Sequence, residues 1–403
     1  MRPTKWAAMV AAYALVPTTA LADVTTYVGS FLTDYQQFDD NPPASPDYAF
    51  FAGSIAADTN GDLLSGLITT PVANTVPLYS ILFENSYLLG YSALYPNEAD
   101  LEAAFPSGNY AYDILSGTLG GNSATMVVPP YDFPIPVPYL DGGSWSALQH
   151  CPSGTDQTVT FPAFSTVYSP SYLTTNLYLF DYTANTSNLV DSQPGGTLTS
   201  ALFPAAFMLS GHAYAYELDY NSVYDAPNAG FGSALATTGF SRRSVGYFRV
   251  AADPGTISGK FYLADHYYNT GKYVQVQVFD DQNQLEFTTS FQIGAYNWYA
   301  VNIPSSGVKT IIFKGDTWLG KAVSGVDLSI GQDDLDVTIT NGDCDGNNVV
   351  DLGDFDIIAA AFGTTSGDIG FDPLADLNGD LTVDLGDFDI LAAAFGLEGD
   401  GSW

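Results

Sequence analysis

Acidic residues recur at fixed spacing near the C-terminus, and they form the part of the sequence best suited to chemistry. The strings from Val350 to Gly363 and from Val383 to Gly396 differ at one position and are offset by 33 residues. Asp and Asn alternate with other residues just before and within each string. A hard divalent cation takes about six to eight oxygen ligands, which a short loop supplies from alternate positions and a closing carboxylate. The spacing therefore predicts two calcium-binding loops, each followed by a helix.

The predicted ligands stand at positions 1, 3, 5, 7, 9 and 12 of each loop, as in an EF-hand. In the first loop they are Asp343, Asp345, Asn347, Val349 through its backbone carbonyl, Asp351 and Asp354. In the second loop they are Asp376, Asn378, Asp380, Thr382 through its backbone carbonyl, Asp384 and Asp387. We therefore expect the protein to hold two calcium ions as its cofactors.

Positions 6 and 8 of each loop indicate how the loop should turn and pack. Position 6 of such a loop needs a left-handed backbone, which is why it is normally Gly. Here it is Asn348 in the first loop and Leu381 in the second, so the second site is expected to be the weaker. Position 8 is Val350 or Val383, and these side chains are expected to pack inward.

The segment after each loop has the composition of a short helix. The closing carboxylate is expected to start the helix, where its charge suits the helix dipole, and Gly363 and Gly396 are expected to end the two helices. One apolar stripe on each helix is expected to pack against the other. The stripes are Phe355, Ile358, Ala359 and Phe362, and Phe388, Leu391, Ala392 and Phe395.

This tail, residues 341–397, resembles a type I dockerin, which is a paired EF-hand module with Asp at the closing position. The resemblance covers about a seventh of the chain and implies a cohesin-like or cell-surface protein as partner. The positions that contact the cohesin in many dockerins hold Leu352-Gly353 and Leu385-Gly386 here. Because these pairs are apolar and identical, they predict a symmetric apolar docking surface.

Charge and composition limit the other partners. The net charge is −34, and no Lys or Arg occurs between Asp23 and Ser241. Such a surface repels phosphate backbones, so nucleic acid is not expected as a partner.

The first 22 residues read as a secretory signal peptide. Arg2 and Lys5 precede a short apolar run, and Ala20-Leu21-Ala22 forms a small-x-small cleavage site. The mature chain is expected to begin at Asp23, to be secreted or held at the cell surface, and not to insert into a membrane.

Before residue 340 the pattern is that of short strands. Tyr214, Tyr216, Leu218 and Tyr220 alternate with polar or small residues, as do Val274, Val276 and Val278. Turns with Gly precede three apolar segments at intervals close to the length of a sandwich domain (about 100 residues). We therefore predict a mainly β fold: tandem immunoglobulin- or fibronectin-like β-sandwiches over residues 23–128, 129–250 and 251–340, followed by the small helical module.

The middle segment resembles a fibronectin type III domain. The resemblance rests on Gly211-His212-Ala213-Tyr214, which stand in the place of the tyrosine corner. The resemblance implies that the Tyr214 hydroxyl bonds back to the preceding loop. Cys151 and Cys344 fall in different predicted domains and are expected to be unpaired thiols.

No recognisable catalytic motif occurs in the sequence. His150, His212 and His266 share no ligand spacing, and there is no Gly-x-Ser-x-Gly elbow. The sequence thus favours a non-catalytic secreted binding or scaffold protein. An enzyme or carbohydrate-binding accessory factor of extracellular polysaccharide degradation remains an alternative, as does a cell-surface adhesive protein.

The dockerin resemblance suggests that polysaccharide alternative, and aromatic side chains offer candidates for sugar binding. Exposed Tyr and Trp rings can stack on sugar rings, although most aromatic residues of a sandwich belong to its core. The candidates for such a platform are Trp145, Trp298, Trp318, Tyr267 and Tyr268.

Overall fold

A computed structural model describes residues 24–57, 62–83, 86–225, 228–231 and 234–401. The predicted signal peptide, residues 1–22, lies outside the described residues. The fold is mainly β, as the alternating sequence predicts, with strands in several sheets.

One large sheet contains twelve of the strands, in the spatial order β10-β9-β12-β14-β1-β2-β5-β4-β3-β6-β7-β13. In chain order they are β1 (Val24–Gln37), β2 (Tyr48–Ala57), β3 (Ser65–Thr69), β4 (Thr75–Phe83), β5 (Ser86–Tyr95), β6 (Gly108–Ser116), β7 (Ser123–Val128), β9 (Tyr172–Asp181), β10 (Thr186–Pro194), β12 (Ala213–Asp225), β13 (Asn228–Ala229) and β14 (Leu235–Arg249).

Within the described residues, the remaining elements form three small sheets, four helices and two 3-10 turns. The strands are β8 (Gln157–Thr160), β11 (Ser200–Phe203), β15 (Thr256–Leu263), β16 (Tyr273–Phe279), β17 (Leu285–Gln292), β18 (Trp298–Asn302), β19 (Val308–Lys314), β20 (Lys321–Asp327) and β21 (Val337–Ile339). The helices are α1 (Glu98–Ala104), α2 (Ser144–Leu148), α3 (Leu352–Ala361) and α4 (Leu385–Ala394), and the 3-10 turns are Ala205–Phe207 and Ala295–Asn297.

The large sheet curves back on itself around a first core. The Tyr112 hydroxyl in β6 donates to the Val28 carbonyl in β1 at 3.0 Å, although four strands separate β1 and β6 in the sheet order. Rings of Phe31, Phe51 and Phe105 fill the interior, with Phe51 and Phe105 stacked at 3.9 Å between centroids. The first core also takes in Phe240 of β14.

A second core lies under the other half of the same sheet. The two-stranded β8–β11 sheet and α2 pack there against β9, β12 and β14. The Tyr214 hydroxyl donates to the Phe207 carbonyl at 2.6 Å, which confirms the predicted bond back to the preceding loop. Tyr110 makes the matching bond to Pro106 in the first unit, at 2.8 Å.

The two cores are not carried by separate sheets. β1 pairs in parallel with β14, from Thr26 opposite Leu235 to Gln37 opposite Gly246. Gln37 then exchanges two hydrogen bonds with the backbone of Leu140, at 2.7 and 2.8 Å. The predicted boundary at 128/129 therefore falls within one continuous sheet, because a strand from the start of the chain completes the sheet of the middle segment.

Residues 256–339 form a sandwich of their own, termed here the third sandwich. The sheet β18-β15-β21 faces the sheet β17-β16-β19-β20, with apolar side chains of both between them. Phe261, Tyr299 and Phe313 meet in this core, edge to face between Phe261 and Tyr299 at 5.7 Å.

The helical tail has a fourth core, which differs from the predicted stripes. Ile358 and Ala361 of α3 and Leu391 and Ala394 of α4 are buried, together with Val350 and Val383 as expected. Phe355, Ala359, Ala392 and both C-cap residues, Phe362 and Phe395, are exposed instead. The predicted stripes were therefore wrong at Ala359, Ala392, Phe362 and Phe395, because each helix presents its Ile/Leu–Ala edge to its partner. Phe355 nevertheless meets Phe388 of the other stripe, as predicted.

Two further expectations can be compared directly. Cys151 and Cys344 are both buried free thiols in different cores, as predicted. Among the described residues, no helix combines the length and the apolar character needed to cross a membrane.

Candidate metal-binding loops

Both acidic loops turn at position 6 with a left-handed backbone. Asn348 has φ of 72° and Leu381 has φ of 73°. The amide of each residue donates to the carboxylate at position 1 of its own loop, at 3.0 Å both to Asp343 and to Asp376. The two loops therefore have the same turn, although neither has Gly at the turning position.

The closing carboxylate ties the two ends of each loop together. Asp354 accepts from the amides of Asp345 and Asp351, at 3.1 and 2.8 Å. Asp387 accepts from the equivalent amides in the second loop, at 3.1 and 2.9 Å. Both closing residues are fully buried.

The helices begin earlier than predicted. Asp351 and Asp384, at position 9, are the N-caps, and each accepts from the amide two residues on at 2.7 Å. The closing residues Asp354 and Asp387 complete a capping box at the third helical position. The prediction that position 12 starts the helix was thus wrong by two residues, because a capping carboxylate must precede the first turn.

The acids of the first loop converge in a way that suits a cation. Carboxylate oxygens of Asp343, Asp345 and Asp354 all lie within 4.8 Å of one another. Oδ1 of Asp343 is buried and has no hydrogen-bond partner in the part of the chain that the structure describes. An unpaired carboxylate oxygen in the interior is costly, and a hard oxygen-seeking ion would supply the missing partner. The residues present therefore fit a calcium ion.

Asn347 and Asp351 complete the first loop at exposed positions. The Asn347 side chain accepts from the amide of Val349 at 2.8 Å, and in the second loop Asp380 accepts from Thr382 at 2.9 Å. The structure thus places the predicted ligand residues of each loop around one turn, in matching order.

The second loop differs at its first ligand. Oδ1 of Asp376 accepts from the amides of Gly379 and Asp380, at 2.9 and 3.2 Å. The corresponding oxygen of Asp343 accepts none. A cation in the second loop would compete with these bonds, which agrees in direction with the predicted ranking of the two sites.

The two halves of the module support each other reciprocally. The amide of Gly363, just after α3, donates to the Val383 carbonyl at 2.8 Å, and Gly396, just after α4, donates to the Val350 carbonyl at 2.8 Å. Gly363 and Gly396 both have φ of 83°, as expected of residues that end a helix. Each loop is therefore fixed by the end of the other loop's helix.

Lys314, at the end of β19, contributes a charge that sequence reasoning missed. It is buried, and its Nζ donates to Oδ2 of Asp343 at 2.5 Å and to the Trp318 carbonyl at 3.0 Å. Desolvation by burial nevertheless raises the pKa of Asp343, although hydrogen bonding to Lys314 opposes the shift. The only sequence signal for this role of Lys314 is that a basic residue stands before Gly315 in an otherwise acidic chain.

Hydrogen bonds of the C-terminal segment hold the first loop against the third sandwich. The Asn348 side chain accepts from the amide of Gly320 at 2.7 Å and donates to the Asp400 carbonyl at 3.2 Å. Asp400 in turn donates its amide to the Gly320 carbonyl at 2.8 Å. The second loop also touches the sandwich, through the Tyr267 amide and the Asn378 carbonyl at 2.9 Å.

The outer surface of the module is apolar and symmetric. Leu352 and Leu385 are 68% and 66% exposed, and the C-cap residues Phe362 and Phe395 are 50% and 51% exposed. Phe355 meets Phe388 edge to face at 6.1 Å between the two helices. The exposure of Leu352 and Leu385 agrees with the expectation from the repeated Leu-Gly pairs, whereas Phe362 and Phe395 were expected in the packed stripes.

The predicted aromatic candidates do not form one platform. Trp318 is buried against His266, whereas Tyr267 and Tyr268 are exposed beside the second loop. Trp298 lines a cleft on another side of the third sandwich, and Trp145 packs against the second core.

Comparisons with known proteins give no family assignment. No protein-family model matches the chain, and no curated protein matches it. A chain of a type II cohesin–X-dockerin complex from Acetivibrio cellulolyticus is similar over 36% of this chain and 97% of its own length, with 20% identity and a TM-score of 0.31. A tetra-tandem repeat from the extending region of a large adhesion protein is similar over 78% and 74%, with 11% identity and a TM-score of 0.21. Scores this low establish neither the family nor the function of this chain.

Proposed function

We propose that this is a secreted, non-catalytic binding or scaffold protein that docks through a calcium-loaded C-terminal module. The observation that carries the proposal is that the turn at position 6 and the closing carboxylate make the same hydrogen bonds in both acidic loops, combined with the buried Oδ1 of Asp343, which has no partner among the described residues. Each loop gathers four Asp residues and one Asn at ligand positions, and their mutual repulsion opposes closure unless a cation is bound. Calcium binding then contributes folding energy.

The docking surface is the symmetric apolar face of α3 and α4. Leu352, Leu385, Phe362 and Phe395 are exposed there, and such side chains on an otherwise acidic protein favour a partner protein over solvent. The module resembles a dockerin, so the partner is a cohesin-like domain of a cell-surface or scaffold protein. The β-rich units before it serve as spacer and recognition modules.

Calorimetry on the mature full-length chain tests the calcium step. We expect two calcium ions to bind, with magnesium a poor substitute because it demands a smaller and more rigid shell. Asp354→Ala and Asp387→Ala should each remove one site, whereas Asp356→Ala, which changes an exposed acid within α3, should leave both. Absence of calcium binding would overturn the proposal.

A docking measurement tests the partner. The chain is passed over immobilised type I and type II cohesin domains in calcium and then in chelator. We expect calcium-dependent binding that Leu352→Asp combined with Leu385→Asp abolishes while both calcium ions still bind. Calcium binding without retention on either cohesin type would contradict the cohesin-like partner and leave the calcium site standing.

A further inference from the structure

A cleft lies where the third sandwich meets the end of the large sheet, away from the acidic loops. Its volume is about 430 Å³, within the usual range for small-ligand sites. Its walls come from both units: Tyr247 and Arg249 of β14, Lys260 of β15, and Tyr296 and Trp298 around the start of β18.

Close contacts join the two units at the junction that forms the cleft. The Ala295 amide donates to the Tyr182 carbonyl at 2.6 Å, and the rings of Tyr182 and Tyr296 meet edge to face at 4.8 Å. Gly294 is needed at this contact, since a Cβ there would lie 2.2 Å from the Tyr182 carbonyl oxygen. The cleft is therefore preformed, which lowers the cost of ordering a ligand.

Aromatic rings dominate the lining. Tyr182, Tyr247, Tyr296 and Trp298 all border the cleft. Tyr296 is 55% exposed and has φ of 56°, an uncommon conformation for a large side chain that the surrounding contacts hold in place. Flat apolar rings with a polar edge suit a ligand that has an apolar face and a hydroxylated rim, such as a sugar ring.

The charge of the lining is opposite to that of the whole protein. Arg249 and Lys260 are two of only ten Lys and Arg residues, and no carboxylate side chain from the described ranges lines the cleft. Arg249 is paired with Asp333 and Asp334, but its buried Nε has no hydrogen-bond partner. Lys260 forms no ion pair with any residue in the described part of the chain, and its ammonium lies 5.1 Å from the centre of the Trp298 ring.

We propose that this cleft binds an oligosaccharide that carries a uronic-acid carboxylate, with the aromatic rings against the sugar faces and Lys260 against the carboxylate. The long-range negative charge of the protein is screened beyond about 8 Å at physiological ionic strength, so the local cation decides the selectivity. This site is independent of the calcium loops, because none of the cleft residues belongs to them.

Calorimetry with matched ligand pairs tests the proposal on the mature full-length chain. The pairs are trigalacturonate with its methyl ester, and glucuronosyl-xylotriose with xylotriose, so that each pair differs in its carboxylate. We expect at least one acidic ligand to bind. Its neutral counterpart should bind at least about tenfold more weakly, or not at all. Failure of both acidic ligands to bind, or equal binding of the neutral forms, would overturn the inference.

Substitutions inside and outside the cleft test whether the acidic ligand binds there. Lys260→Met and Tyr296→Ala should each weaken binding of the acidic ligand about tenfold, and Lys260→Arg should retain it. Lys321→Met and Tyr273→Ala change exposed residues of the same sandwich outside the cleft and should have no effect. Binding should persist in chelator, which separates this site from the calcium module. Equal loss in the control variants would contradict the assignment.

Discussion

Nζ of Lys314 lies 2.5 Å from Oδ2 of Asp343, so the third sandwich places a buried ammonium on the first ligand of the first loop. The bond crosses from one hydrophobic core to the next, since Lys314 ends β19 and Asp343 opens the helical module. The module is therefore not a tail attached by a linker. Its first loop is partly neutralised and held by the sandwich before any ion binds.

Lys314→Met tests this relationship. Removing one partner of a buried ion pair leaves the other charge uncompensated, so the calcium-free protein should lose about 3 kcal/mol of stability. Calcium should then bind the first loop more tightly, because a competing positive charge is gone. Calcium titrations and chemical unfolding in chelator measure the two effects. Lys309→Met removes a lysine from the same strand, at the surface pair with Glu286, and should change neither. Unchanged calcium affinity in Lys314→Met would contradict the coupling.

Leu381→Gly should strengthen the second loop. Leu381 has φ of 73°, and a left-handed backbone costs a residue with a Cβ about 1–2 kcal/mol relative to Gly. Calcium affinity at that loop should rise by about five- to thirtyfold, as measured by calorimetry in an Asp354→Ala background that removes the first site.

The same change in the first loop should act in the opposite direction. Asn348→Gly also relieves a left-handed residue, but it removes the side-chain bonds to Gly320 and Asp400. The first loop should therefore bind calcium more weakly. Equal gains at both loops would show that the side chain of Asn348 does not anchor the module.

The two thiols lie in different cores, and their reactivity depends on burial in each core. Burial raises the pKa of Cys151 to about 11, and burial together with neighbouring carboxylates raises the pKa of Cys344 to about 12. Because the thiolate is the reactive form, both should label slowly at pH 8, and more slowly than an unfolded thiol with a pKa of about 8.5. Reactivity should increase as the pH rises toward those values.

Chelation should expose only one of the two thiols. Cys344 lies in the core of the helical module, so removing calcium should speed its alkylation, whereas Cys151 under the large sheet should stay protected. Mass spectrometry of peptides labelled in calcium and in chelator distinguishes the two sites. Equal protection of Cys344 in both conditions would contradict calcium-dependent folding of the module.

The first two cores should unfold together, because one sheet carries both. Arg242 of β14 forms a bidentate pair with Glu98 at the start of α1, with contacts of 2.9 to 3.0 Å. Glu98→Gln should therefore lower the free energy of unfolding of residues 24–250 by about 1 kcal/mol, and these residues should still unfold in a single transition. Glu102→Gln, at an exposed position of the same helix, should have little effect. Two separate transitions in differential scanning calorimetry would contradict the shared sheet.

The sequence by itself determined the features whose physical basis is local. The twelve-residue spacing of oxygen donors, repeated after 33 residues, defined both loops, since a loop this short must bring alternate side chains to one point. The alternation around Tyr214 and Val276 indicated strands, and the resemblance of Gly211-His212-Ala213-Tyr214 to a tyrosine corner implied the bond of Tyr214 to the preceding loop. These features depend on residues close together in the chain.

The tertiary structure alone decided which distant segments meet. Gln37 and Leu140 are 103 residues apart, and β1 joins β14 in parallel across most of the first 250 residues. Strand periodicity fixes which face of a strand is buried but not which strand lies beside it. Lys314 and the cleft around Trp298 depend on how whole sheets pack, and the charge balance of both sites arises only when residues from separate units come into contact.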